Sequence, residues 1–131
     1  MTGRRQAAGG PDERAAPANT VLLRGRLTAE PVERELPSGD VIVTFRVSVP
    51  RSGGTPLTAR SRQTSDWVDC AAAAPGVRRR VLAWKPGDAV EVEGALRRRF
   101  YRAAGAPVSR LEVEVARARR AAVAEPTRRA G

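Results

Sequence analysis

The sequence contains no histidine and a single cysteine, Cys70. These absences exclude an internal disulfide, a histidine–cysteine metal site and a cysteine–histidine catalytic pair. Cys70 lies in an apolar run, which predicts a buried and unreactive thiol. Carboxylates such as Asp66 and Asp69 have no such catalytic partner and are interpreted as salt-bridge or turn residues. We therefore expect a protein that is not an enzyme and that needs no metal ion or cofactor.

Long apolar runs are also missing. No window approaches the ~20 apolar residues that span a bilayer, and the N-terminus lacks the apolar core of a signal peptide. We therefore expect a soluble, cytoplasmic protein that does not contact a membrane. The 131 residues suit one domain. We predict a disordered arm over residues 1–18, a folded domain over 19–120 and a short disordered tail over 121–131.

Lysine and aromatic residues are scarce, whereas arginine is abundant. The chain has 23 arginines, one lysine and 14 acidic residues, which gives a net charge of +10. The terminal segments, 1–18 and 121–131, each carry a net charge of +1, so +8 falls within the predicted domain. A basic excess inside the folded part favours a polyanionic partner, because solubility alone requires no particular sign of charge.

Apolar and polar residues alternate with period two, which is typical of half-buried strands. The clearest case places Val43, Phe45 and Val47 on one face. Further strands are predicted over 21–27, 66–72, 90–101 and 108–117. A short helix is predicted over 77–84, with Trp84 as a core plug, and a loop over 103–107. Curved strands with one short helix predict an all-β fold, namely a five-stranded Greek-key barrel of the OB type.

The segment 90–101 ends in three arginines followed by Phe100 and Tyr101. Its alternation predicts that Val90, Val92 and Leu96 face the core, with a bend at Gly94. Arg97 and Arg99 then offer guanidinium groups for phosphates, and Tyr101 offers a ring for base stacking. Phe100, on the opposite side, is interpreted as structural. A solvated basic strand end is the alternative interpretation of this segment.

Two other strands give specific expectations. Trp67 must face outward if Val68 and Cys70 face the core, which suggests a stacking or partner surface. The last strand is expected to place Leu111, Val113 and Val115 inward and Glu112 and Glu114 outward. The loop over 50–65 carries Arg51, Arg60 and Arg62 and no acid before Asp66, which fits either wrapping around a polyanion or mobile surface.

Several short motifs in one order carry a family likeness. The chain resembles bacterial single-stranded DNA-binding proteins over residues 19–117. The resemblance implies a homo-oligomer, commonly a tetramer, that coats single-stranded DNA in replication, recombination and repair, without sequence preference and without catalysis. It also implies association with the nucleoid. The matching motifs are residues 19–31, 36–41, 45–47, 65–67 and 85–99.

The resemblance also implies site residues. Trp67 and Tyr101 match aromatic stacking positions, and Lys85, Arg97 and Arg99 match basic positions of the groove. Other stacking positions of the family are occupied here by Gly or Ser after Ser52 and by Ala near position 73. Fewer rings imply weaker binding or a heavier dependence on arginine. The remaining predicted DNA contacts are Arg24, Arg26, Arg46 and Arg51.

Residues 127–131, Thr-Arg-Arg-Ala-Gly, do not match the acidic C-terminal tip that the resemblance implies. This puts recruitment of replication proteins in doubt and suggests an auxiliary, actinobacterial-type copy. Two alternatives stay open at this point: an RNA- or ribosome-associated barrel, and a non-catalytic protein–protein adaptor.

Overall fold

The computed structural model describes residues 15–52 and 62–121. The predicted arm and tail lie almost wholly outside the described residues, as does most of the predicted basic loop, so these stay predictions. The elements are β1 (Val21–Leu27), β2 (Val32–Glu35), β3 (Val41–Pro50), β4 (Ser65–Ala72), α1 (Pro75–Leu82), β5 (Ala89–Ala103) and β6 (Ala106–Arg120).

Five strands close into a barrel. The sheet runs β1-β5-β6-β4-β3, and β1 also pairs with β3, which closes the ring. The β4–β6 pairing is parallel and the other pairings are antiparallel. The short β2 pairs with β3 beside this ring. A closed barrel of five strands with one helix after its third strand is the OB fold, so the predicted fold class is confirmed.

The core lies inside the barrel, as the alternation predicts. Val43 and Val47 of β3 are fully buried together with Val90 and Val92 of β5. Trp84 is buried in this core and meets the Phe45 ring edge-on, with the centroids 5.7 Å apart and the planes at 89°. The prediction of Trp84 as a core plug is therefore confirmed.

Cys70 is also buried in this core. Burial, with smaller contributions from the nearby charges of Asp69 and Glu112, raises the pKa of the thiol to about 12. The thiol is therefore protonated at neutral pH and a poor nucleophile, in agreement with the prediction of an unreactive cysteine.

The helix begins and ends earlier than the predicted span of 77–84. It covers Pro75–Leu82, with Pro75 in the first turn. Proline is favoured there because the first helical residue needs no hydrogen-bonded N–H and the fixed φ of proline suits the helix. At the other end, Pro86 disfavours a helical conformation at Lys85, so the helix ends and Trp84 turns into the core.

The predicted loop over 103–107 is wrong, because both strands continue to a two-residue turn. Ala103 pairs with Ala106, and the two residues between them have φ of 54° and 81°. Positive φ at both central positions is typical of a type I′ turn, whose twist matches that of a hairpin. Glycine adopts this conformation readily at Gly105, whereas Ala104 does so at a cost of about 1 kcal/mol.

A β-bulge lies where β5 crosses β6. Glu93 pairs with Arg117 and Gly94 with Val115, so Ala116 has no partner in the ladder. A Cβ atom at Gly94 would clash with the backbone carbonyl of Glu114. Glycine therefore permits an approach of the two backbones that no other residue allows. The bend predicted at Gly94 lies at this contact.

Beyond Gly94 the hairpin leaves the barrel as a two-stranded arm, residues 97–112. Pairing of β5 with β1 ends at Gly94, and pairing of β6 with β4 begins at Val113. Three predictions fail here: Leu96 and Leu111 are exposed rather than inward, and Phe100 is 75% exposed rather than structural. Alternation assigns a residue to a face, but it does not show where a strand leaves the core.

We expect Gly94→Ala to destabilise the protein by roughly 2–3 kcal/mol, since a backbone in the barrel must move to admit the methyl group. Denaturant unfolding would measure the free energy of unfolding. Gly76→Ala, whose Cβ meets only the end of the Arg79 side chain at 3.9 Å, is the matched control and should leave stability nearly unchanged. Equal stability of the two variants would contradict the role assigned to Gly94.

Candidate nucleic-acid interface

Trp67 projects from β4 to the outside of the barrel and is 58% exposed, as predicted. Arg46 lies on the neighbouring strand β3, two residues from Ser48, which pairs with Trp67, and on the same side of the sheet. Its guanidinium carbon lies 4.0 Å from the centroid of the Trp67 ring. A cation–π contact of this kind contributes about 0.5–1 kcal/mol at an exposed site and fixes the ring's orientation.

A chain of contacts leads from Trp67 to Tyr101. Arg46 Nε donates to Asp69 Oδ1 at 3.0 Å, and the other Asp69 oxygen lies 3.9 Å from Arg110 Nη1. Arg110 Nη2 then donates to the Tyr101 hydroxyl at 3.2 Å. Both predicted stacking rings therefore lie on one side of the sheet, which we call the open face. Its predicted members are Arg46, Trp67, Arg97, Arg99 and Tyr101.

The two arginines of β5 on the open face are both ion-paired. Arg97 Nε lies 2.8 Å from a Glu114 oxygen, and both side chains are more than half exposed. Arg99 donates to Glu112, whose side chain is only 4% exposed. Glu112 lies on the outward side of β6, as predicted, but it is buried rather than exposed. Arg99 is therefore the counter-ion of a buried carboxylate, whereas Arg97 pairs with an exposed one.

Arg26 and Lys85 lie beside the open face. Arg26 is opposite Ser48, which is opposite Trp67, so Arg26 is two strands, or about 10 Å, from the ring on the same side of the sheet. Its Nη1 donates to the carbonyl oxygen of Gly87 at 3.0 Å. Lys85 belongs to the same turn and is exposed.

Arg24 and Arg51 lie in separate ion pairs. Arg24 binds Glu91 at 2.7 Å, and Arg119 binds the other Glu91 oxygen at 2.6 Å. Partial burial opposes ionisation of Glu91, but the two guanidinium hydrogen bonds outweigh it and lower the carboxyl pKa. Arg51 donates two hydrogen bonds, of 2.7 and 2.9 Å, to the Asp66 carboxylate, and these lower the pKa of Asp66.

Sequence reasoning missed Arg110, which connects the two rings, and the carboxylates that pair with the open-face arginines. The hairpin register would have shown them. Arg110 lies opposite Arg99, and Glu112 lies opposite Arg97. These neighbours become visible once the strands are extended to the Ala104–Gly105 turn, because cross-strand pairs on one face follow from the register.

The described residues were compared with three other kinds of site: a cavity, a metal cluster and a membrane-spanning helix. A cavity of about 930 Å³ between α1 and the outer side of β1, β5 and β6 contains none of the nine predicted DNA contacts. Within residues 15–52 and 62–121 no three histidine, cysteine or acidic side chains are grouped to hold a metal ion. Over the same ranges no helix has the length and apolarity needed to cross a membrane.

The closed five-stranded barrel places the protein in the OB-fold class. The model of the single-strand binding protein family matches residues 18–121, and the chain belongs to this family. A comparison with curated proteins finds no match.

Two solved structures share the fold. A Plasmodium falciparum SSB in complex with ssDNA is 20% identical, with a TM-score of 0.62 over 81% of this chain and 95% of that one. A small single-stranded DNA-binding protein from Streptomyces coelicolor is also 20% identical, with a TM-score of 0.55 over 78% of this chain and 93% of that one.

We expect Arg99→Ala to destabilise the protein by about 3 kcal/mol, because it leaves the buried Glu112 carboxylate without its counter-ion. Arg97→Ala, which breaks an exposed pair, should change the free energy of unfolding by less than about 1 kcal/mol. Denaturant unfolding of both variants measures the difference. The double change Arg99→Ala with Glu112→Gln should recover part of the loss, and equal effects of the two single variants would refute the distinction.

Proposed function

We propose that this protein binds and protects single-stranded DNA without sequence preference, through arginine–phosphate contacts and stacking of bases on Trp67 and Tyr101. Membership of the single-strand binding protein family supports the ligand class. The observation that carries the proposed mechanism is the open face, where Trp67 is held under Arg46 and connected through Arg110 to Tyr101. Exposed rings beside cations suit a strand whose bases are unpaired.

The first step of the mechanism is electrostatic capture. The net charge of +8 over residues 19–120 attracts the strand. Arginines then replace counter-ions at individual phosphates. Arg97 suits this role because its pair with Glu114 is exposed, and exposed pairs contribute little to stability. Exchange of the carboxylate for a phosphate therefore has a small cost. Arg26 and Lys85 extend the basic surface across β1.

The second step is stacking. Trp67 and Tyr101 lie on different strands, with Asp69 and Arg110 between them. A strand that follows the open face would place separate bases on the two rings. Each stacked base contributes ~1–3 kcal/mol, whatever its identity, because every base has a π-face. Stacking thus supplies affinity without sequence readout, and no reacting group is required.

The proposed setting is that of the family: replication, recombination and repair in the cytoplasm at the nucleoid, with a homo-oligomer, commonly a tetramer, as the binding unit. Light scattering on the purified protein measures the oligomeric mass. Competition between oligo-dT and a matched RNA strand tests the nucleic-acid class, since preference for RNA would favour the RNA-associated alternative. An oligomer without affinity for either strand at moderate salt would favour the adaptor.

We expect Trp67→Ala to weaken binding of oligo-dT by ~1–3 kcal/mol, because the lost interaction is stacking. Oligonucleotides of other sequences should lose a similar amount. Fluorescence anisotropy of a labelled oligonucleotide measures the affinity. Trp67→Phe keeps a ring and should retain most of the affinity. Leu82→Ala removes an exposed apolar side chain on α1 and serves as a surface control. Unchanged affinity of Trp67→Ala for oligo-dT would contradict the stacking role of Trp67.

We expect Arg97→Ala mainly to shallow the salt dependence of binding. Each phosphate contact on a single strand contributes a slope of about −0.7 in log affinity against log salt, so the variant should lose up to about that amount. Titrations at four salt concentrations give the slope. Arg79→Ala, an exposed arginine on α1 away from the open face, is the matched control. A slope as steep as that of the unaltered protein would show that Arg97 binds no phosphate.

A further inference from the structure

The arm has a second exposed side, which the predicted site does not use. We call it the reverse face. Phe100 is at its centre and, at 75%, is more exposed than either Trp67 or Tyr101. Because side chains alternate along β5, the reverse face is opposite to Arg97, Arg99 and Tyr101. Its members are Leu96, Arg98, Phe100, Arg102 and Leu111.

The arginines of the reverse face differ from those of the open face in their partners. Arg98 donates to the Ser109 hydroxyl at 3.2 Å, and Arg102 donates to the carbonyl oxygen of Gly105 at 3.0 Å. Both acceptors are neutral, and no carboxylate of the described residues forms an ion pair with either guanidinium. The positive charge of the reverse face is therefore uncompensated, whereas Arg97 and Arg99 are paired with Glu114 and Glu112.

The spacing places the ring between the two cations. Arg98, Phe100 and Arg102 are alternate residues of one strand, so each guanidinium-bearing residue is about 6.6 Å along the strand from Phe100. A ring flanked by two cations offers one surface for a base and two for phosphates. Leu96 and Leu111 add apolar surface at the base of the arm.

The edge of the arm is accessible between the two faces. Pairing of β5 with β1 ends at Gly94, and Asn19 makes the next contacts, accepting from the Leu96 N–H and donating to its carbonyl oxygen at 2.8 Å each. Among the described residues, no strand pairs with this edge of β5 beyond Leu96. A bound chain can therefore pass from Tyr101 on the open face to Phe100 on the reverse face over one strand.

We propose that the reverse face is a second binding surface for the same single-stranded DNA, in which Phe100 stacks a base and Arg98 and Arg102 bind flanking phosphates. This inference rests on the proposed function and extends it, since the strand would wrap around the arm. Charge complementarity selects a polyanion over a second copy of this basic chain as the occupant. The charged residues of this face that the structure describes, Arg98 and Arg102, are both cationic.

The test compares Phe100→Leu with Leu82→Ala in the full chain. Phe100→Leu keeps an apolar side chain but removes the ring, and it should lower the affinity for oligo-dT by roughly 5- to 150-fold, the range of one stacked base. Leu82→Ala removes an exposed apolar side chain on α1, outside both faces of the arm, and should bind like the unaltered protein. Arg98→Gln and Arg102→Gln should each shallow the log–log salt slope by about 0.7.

Trp67→Ala is measured in parallel. It distinguishes failure of the reverse-face inference from failure of the proposed function. If Phe100→Leu binds with unchanged affinity while Trp67→Ala is weakened, the reverse face does not bind DNA and the proposed function stands. If the unaltered protein does not bind oligo-dT, the proposed function fails and this inference with it. If Leu111→Ala lowers the oligomeric mass and Phe100→Leu leaves DNA affinity unchanged, the reverse face is a contact between copies, which overturns the inference.

Discussion

The close approach of β5 to β6 at Gly94 is the constraint on which the site depends. The backbone of β6 lies where a Cβ atom would be, and one residue of β6 is left out of the ladder at the bulge. Before this point Val90 and Val92 belong to the core; after it both faces of β5 meet solvent. One strand therefore serves as barrel wall and as projecting arm. The residues of the arm that are proposed to bind DNA all follow this contact along β5.

Ion pairing gives the arginines different functions. Arg99 neutralises a buried carboxylate, Arg97 holds an exposed one, and Arg98 and Arg102 hold none among the described residues. A count of the positive charges alone does not distinguish these arginines from one another. The available charge at a surface is set by which carboxylates the strand register brings opposite each arginine. In this protein the register directs Glu112 and Glu114 to one side of the arm only.

Much of the barrel could be predicted from the sequence because period-two alternation reports directly on a half-buried strand. The inward set on β3, the outward Trp67 and the Trp84 plug all follow from it. The exposure of Leu111, Glu112 and Phe100 could not be predicted in this way. Their burial depends on where the hairpin leaves the barrel and on which side chain covers them, and both are properties of the tertiary structure. A strand pattern carries no information on how far the core extends along it.

The two faces of β5 in the arm have a related composition, with two arginines and one ring on each. Because side chains alternate with period two, deletion of one residue between Gly94 and Arg97 would rotate the following strand by half a period. Arg98 and Phe100 would then take the side now held by Arg97 and Tyr101. In a strand with one buried face, such a change exchanges the core face for the solvent face and disrupts the sheet. Here it would exchange one cationic, aromatic surface for another, but it would also turn Arg99 away from the buried Glu112. The length of the arm is therefore fixed by one ion pair rather than by a core face.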